Sequence, residues 1–157
     1  MNNNFIEAEE FLKQPVEVQQ GFMDWWKPKI GDLFELHVVE YNDYGEGSEE
    51  QTVLRKDEYN IIRSINENML KESKEDMIDM IKDVNDADRF TLCLNMSQLI
   101  DYIEDKTNSY VSISPTIKLD GYDITLINIE EETYTIKCNN ILQSLWKVAC
   151  KIAKENI

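Results

Sequence analysis

One histidine, three cysteines, three prolines and five glycines are all that this 157-residue chain has of these residues. Each scarcity excludes something. His37 alone cannot build a zinc shell of several histidines, and neither a CxxC nor an HExxH spacing occurs. Cys93, Cys138 and Cys150 are odd in number and lie in apolar stretches, which predicts free thiols in a reducing compartment rather than a disulfide framework. Of the five glycines, only Gly45 and Gly47 sit close together, without the third glycine or the basic residue of a phosphate-binding loop. Bases are also scarce, 16 against 31 acids, for a net charge of −15 and a pI near 4.4. That balance excludes a nucleic-acid-binding role built on phosphate neutralisation. No apolar run approaches the ~20 residues of a membrane-crossing helix. Residues 1–10 are polar and acidic, unlike a secretory leader, which predicts a cytoplasmic protein.

Apolar residues make up 42% of the chain, enough for a folded core. Ile, Asn and Lys occur 18, 14 and 13 times, Ala and Arg only 4 and 3 times, a usage that follows AT-rich codons. Charge is uneven along the sequence: residues 1–88 carry 22 acids and 9 bases, residues 89–157 carry 9 and 7. Separate domains of these lengths would each be marginal in size, so one domain over 1–157 is expected, with an acidic, helix-rich 1–88 and a sheet plus C-terminal helix over 89–157.

Periodicity and punctuation predict the elements. Asn4 caps a first helix with Phe5, Ala8, Phe11 and Leu12 on one side, and Pro15 opens a second that runs to about Trp26. Phe22, Trp25, Trp26 and Phe34 read as core aromatics rather than a binding patch. A strand covers 32–41 and a turn Gly45–Glu50. Helices follow over about 56–70, with Tyr59, Ile62, Ile65 and Met69 on a face, and 73–84, with Met77, Met80, Ile81 and Val84. After a short strand at 90–94, Asn95 and Gln98 have capping-box spacing before Leu99, Ile100 and Ile103. Three strands at about 110–118, 122–128 and 134–138 are joined by a tight turn at Asp120-Gly121 and by Glu130–Glu132. A long helix from about Asn139 carries Ile141, Leu142, Leu145, Trp146, Ala149, Ile152 and Ala153. The fold class is therefore α+β, a small mainly antiparallel sheet packed by several helices.

Chemistry-bearing residues are few. His37 would be the general base and a cysteine the nucleophile of a Cys–His site, but no local signature supports the pair. Oxygen ligands alternate from Asp83 to Asp88, yet Ala87 and Leu94 stand where a calcium loop needs its fifth and twelfth ligands. No catalytic, metal or cofactor site is expected. The carboxylates carry the pattern: Glu72, Asp76, Asp79 and Asp83 follow spacings of four, three and four. On one helix they form a line ~16 Å long. Glu46, Glu49 and Glu50 in the preceding turn, and Glu7, Glu9 and Glu10 at the start, add to the same half. Such a surface can imitate a phosphate array and dock on a basic groove.

The segment Val18–Phe34, with Trp25-Trp26-Lys27-Pro28 before Gly31-Asp32, resembles a group of small phage and prophage proteins from low-GC Gram-positive bacteria, as do Leu94–Glu104 and Leu145-Trp146. The resemblance leaves residues 56–84 uncovered and brings no activity with it. It implies a phage accessory protein acting in the host cytosol. Joined to the acidic half, it predicts a non-enzymatic protein that blocks a basic, nucleic-acid-handling host protein, with an anti-CRISPR or other anti-defence role as the concrete version. A small enzyme or metabolite-binding protein with a non-local pocket, and a structural adaptor of a phage assembly, are the alternatives.

Overall fold

A computed structural model describes residues 4–44 and 53–157. Helices α1 (Ala8–Leu12) and α2 (Val16–Trp25) lead into strands β1 (Leu33–Tyr44) and β2 (Val53–Ser64). A 3-10 turn at Met69–Lys71, helix α3 (Lys74–Val84), strand β3 (Ala87–Cys93) and helix α4 (Met96–Thr107) follow. Strands β4 (Tyr110–Pro115), β5 (Tyr122–Ile127) and β6 (Glu131–Ile136) precede the last helix, α5 (Ile141–Glu155). The α+β class is as the sequence predicts: two three-stranded sheets, ordered β2-β1-β3 and β4-β5-β6, accompanied by helices. The contacts gather into two compact units, residues 1–26 with 93–157 and residues 27–92. None of the described helices is long and apolar enough to cross a membrane.

In the larger unit the chain's two ends build one core. The stretch before α1 is extended, not helical from Asn4 as its apolar spacing suggests. Ile6 donates its N–H to Leu94 O at 2.7 Å, Phe5 bridges Asn95, and Ile6 is fully buried. The sequence opens α2 after Pro15, whose missing N–H costs a helix start nothing. Gln19 Nε2 then donates to Gln14 O at 2.8 Å, covering the exit from α1. Phe11, Phe22, Tyr102 and Trp146 pack ring against ring, with Phe22 at 4.3 Å from Tyr102 and 5.2 Å from Trp146. Trp146 also stacks on Phe11 at 6.1 Å. The capping box forms as spaced: Asn95 Oδ1 accepts from Gln98 N, and Gln98 Oε1 from Asn95 N, both at 2.9 Å. Asn140 caps α5 through Gln143 N, and α5 packs against α4, α2 and β5.

The second sheet is antiparallel throughout. The connection into β5 is wider than a two-residue turn at Asp120-Gly121. Thr116 N donates to Gly121 O, its Oγ1 donates to Asp120 Oδ1, and Leu119 takes a φ of 56°. Gly121 is needed for a different reason, close approach: a Cβ there would lie 1.9 Å from Ile136 O. The chain turns at Asn128–Glu130, where Asn128 N donates to Glu130 O, and Glu131 and Glu132 already belong to β6.

In the smaller unit a helix expected over about 56–70 is a strand and a 3-10 turn instead. β2 pairs with β1 over twelve positions, from Leu33↔Ser64 to Tyr44↔Val53. Pairing puts Tyr59, Ile61 and Arg63 opposite Val38, Leu36 and Phe34, a period of two that the spacing of Tyr59, Ile62 and Ile65 conceals. At the hairpin base Ile65 N donates to Asp32 O at 2.8 Å and Gly31 N to Ile65 O at 2.9 Å, with Gly31 at φ 90°, a conformation natural to glycine. Phe34 and Phe90 stack at 4.7 Å, and Leu36, Val38, Ile65, Met77 and Ile81 are buried.

Two substitutions test this packing. Trp146→Ala removes a side chain 3% exposed that packs on Phe11 and Phe22 and is expected to cost about 3–5 kcal/mol in urea unfolding. Gly121→Ala must push the β6 backbone away and is expected to cost at least about 1–3 kcal/mol, with Gly21→Ala, which meets nothing, as the comparison.

Candidate functional site

The acidic stripe is built on α3. Ser73 caps the helix, its Oγ accepting from Asp76 N at 3.2 Å. Met77 and Ile81 are buried and hold one side of the helix in the core. At the other end Asn85 Nδ2 donates to Ile81 O at 2.6 Å, and Asp86, at φ 50°, offers its carbonyl to Val39 N. The helix is therefore tied at both ends and along its buried edge. Asp76, Asp79 and Asp83 all lie on its exposed surface. Glu72 precedes the cap in an extended conformation, so only the three aspartates form a helical line, ~10 Å long at 1.5 Å rise per residue. Among the described residues no ion pair engages Glu72, Asp76, Asp79 or Asp83. Met80 and Val84, expected on the buried side, are 41% and 79% exposed beside these carboxylates.

The other acids distribute differently from the sequence halves. Glu46, Glu49 and Glu50 lie outside the described residues. Glu7, Glu9 and Glu10 belong to the larger unit, where Lys13 pairs with Glu9 at 3.6 Å and Glu10 at 2.7 Å. By compact unit, the smaller holds 17 acids and 9 bases and the larger 14 and 7, net −8 and −7. The acidic half is thus a property of the linear sequence, since the fold returns residues 4–26 to the second half. What the charge count overlooks is a basic helix face: Lys147, Lys151 and Lys154 are all exposed on α5. Its signal in the sequence is the absence of any acid from Thr133 to Lys154.

His37 Nδ1 lies 2.5 Å from Asp88 Oδ1, and Nε2 lies 3.9 Å from Glu58 Oε2, so both ring nitrogens face carboxylates of the flanking strands. Among the described residues no group of three or more His, Cys, Asp or Glu side chains is arranged around a cation. Trp26, Phe22 and Phe34 are buried, while Trp25 is half-buried and donates from Nε1 to Asp105 Oδ2 at 2.9 Å. Two open cavities of about 590 and 530 Å³ lie in the larger unit, one beside Ser109 and Glu131, the other beside Asn95 and Asn140. Neither is lined by a histidine or a cysteine. Burial pushes the Cys150 thiol up to about 12, and the Tyr102 phenol likewise. Compared with known proteins, the chain matches no family model, no curated protein and no solved structure.

The cysteines give a direct readout of this core. Cys93 and Cys150 are buried and Cys138 is partly exposed. At pH 8 the native protein is expected to release one equivalent of thionitrobenzoate rapidly and three after unfolding. Because the Cys150 thiol is held neutral, its contribution to stability is present below the ordinary thiol range and is lost as pH climbs towards about 12. Rapid reaction of all three thiols in the native state would show that the α5 core opens.

Proposed function

We propose that the protein is a non-enzymatic accessory protein that docks α3 on a basic, nucleic-acid-handling host protein and blocks it. The observation that carries this reading is the line Asp76, Asp79 and Asp83. These are three exposed carboxylates without ion-pair partners among the described residues, on a helix tied at both ends. Regularly spaced negative charge on a rigid element presents a basic groove with something close to a phosphate row, and opposed charge steers the encounter. Glu72, just before the helix cap, and the Glu46, Glu49 and Glu50 segment add charge to the same region of the sequence. With a net charge of −15, the partner is a basic protein and not a nucleic acid. The AT-rich residue usage, the free cysteines and the resemblance to phage proteins of low-GC Gram-positive bacteria support action in the host cytosol. An anti-CRISPR or other anti-defence role fits that setting.

Replacing Glu72, Asp76, Asp79 and Asp83 by Gln or Asn is the test. Exposed carboxylates without partners contribute little to folding, so the thermal midpoint is expected to stay within a few degrees. Association with a basic partner captured from the host is expected to slow ~10-fold or more at low salt and to lose its salt dependence. The matched control neutralises Asp101 and Glu104 and spares Asp105, which holds the Trp25 indole. Equal effects of the two sets, or none from the first, would remove α3 as the docking face.

A further inference from the structure

We propose that the chain self-associates through its two oppositely charged helix faces, with α3 of one copy lying antiparallel on α5 of another. The acid-free stretch from Thr133 to Lys154 stands out in a chain with 31 acids. Within it, α5 buries Leu145, Trp146, Ala149 and Ile152 and presents Lys147, Lys151 and Lys154 to solvent. No ion pair engages these lysines among the described residues; Lys151 lies over the Tyr134 ring at 4.7 Å. The two stripes match in register. Asp76, Asp79 and Asp83 are separated by three and then four residues, and so are Lys154, Lys151 and Lys147 taken in reverse. Both span ~10 Å of helix. An antiparallel crossing therefore sets Asp76 against Lys154, Asp79 against Lys151 and Asp83 against Lys147. Met80 and Val84, exposed beside the aspartates, add an apolar strip to the contact.

This occupant is named by charge complementarity within the chain itself, and the inference goes beyond the proposed function without requiring it. Two crossing helices bury less than the ~1,200–2,000 Å² of a standard stable interface, and exposed ion pairs are individually weak. The association is accordingly weak, salt-sensitive and opposed at long range by the net charge of each copy. Because it covers Asp76, Asp79 and Asp83, a second copy and a basic partner would compete for α3.

Sedimentation velocity on the full chain tests it, over about 20 µM to about 1 mM protein. At ~0.05 M salt the weight-average sedimentation coefficient is expected to rise with concentration, and at ~0.5 M salt the rise is expected to vanish. Two charge-swapped variants supply the decisive arm: Asp76→Lys with Asp83→Lys, and Lys147→Glu with Lys154→Glu. Asp79 and Lys151 stay native because Lys151 also contacts Tyr134. Each variant alone opposes like charges and is expected to stay monomeric. Their equimolar mixture restores every opposite pair and is expected to associate at least ~10-fold more tightly than either alone. Circular dichroism melting establishes that both are folded. A wild-type coefficient that does not rise at low salt, or a mixture no more associated than its components, overturns the proposal. A monomeric chain that still binds a basic protein through α3 overturns the self-contact and leaves the proposed function in place.

Discussion

The packing of Phe22 against Trp146 and Tyr102 is the contact on which the larger unit depends. It joins the second helix of the chain to the last one across more than a hundred residues of sequence. Phe11 and the Ile6-to-Leu94 hydrogen bond extend the same closure. Four large rings bury several hundred square ångströms of apolar surface in a small volume, and that burial offsets the entropy of fixing two short helices that would not persist alone. The intervening residues 27–92 form the smaller unit. They do so with the most local pairing available, a hairpin of twelve paired positions, and with a helix that returns the chain to β3 beside it.

The acidic helix exists because its folding requirements are narrow. Two buried side chains, Met77 and Ile81, one serine cap and an Asn85 side chain at the far end hold α3. Everything on the outer side is then released from folding constraints. Like charges three and four residues apart oppose a helix by only a few tenths of a kcal/mol per pair, which a tethered helix tolerates. Met80 and Val84 stay exposed beside the charges, because burial of Met77 and Ile81 already holds the helix in place. α5 is the opposite case. Its wide apolar side is consumed by the core, and the narrow strip that remains is lysine, so the most buried helix of the chain also displays its clearest cationic row.

Elements whose signals are local were legible in the sequence. Asn95 caps α4 together with Gln98, as their spacing predicts, because both halves of that contact lie within four residues, whereas Asn4 caps nothing because Phe5 and Ile6 are drawn into extended pairing with the distant Asn95 and Leu94. Amphipathic α5 and the alternation of β5 carry their periods in a single segment. Residues 53–64 did not, because Tyr59, Ile62 and Ile65 are spaced equally well for a helix; the twelve-position register with β1 decides for a strand, and pairing with a distant partner leaves no mark within the segment. Met80 and Val84 failed as core residues for a related reason. A helical apolar stripe shows which residues share a side, and the width of the neighbouring surface determines how many of them are covered.

Charge shows the same division. Composition alone determined a strongly acidic chain, since net charge is a sum over residues and needs no geometry. The placement of Asp76, Asp79 and Asp83 on one side of a helix was equally determined, because three- and four-residue spacings return to one side of any α-helix. Tertiary structure decided which acids belong together. It gathered Glu7, Glu9 and Glu10 into the larger compact unit and α3 into the smaller, and it enclosed His37 between Asp88 and Glu58 from separate strands, whereas the pairing of Lys13 with Glu9 and Glu10 is local, at spacings of four and three. The first of those outcomes follows from burying aromatic side chains at the two ends of the chain and the second from the strand order β2-β1-β3, and the energy of such packing and pairing is a property of the assembled unit, not of any segment that contributes to it.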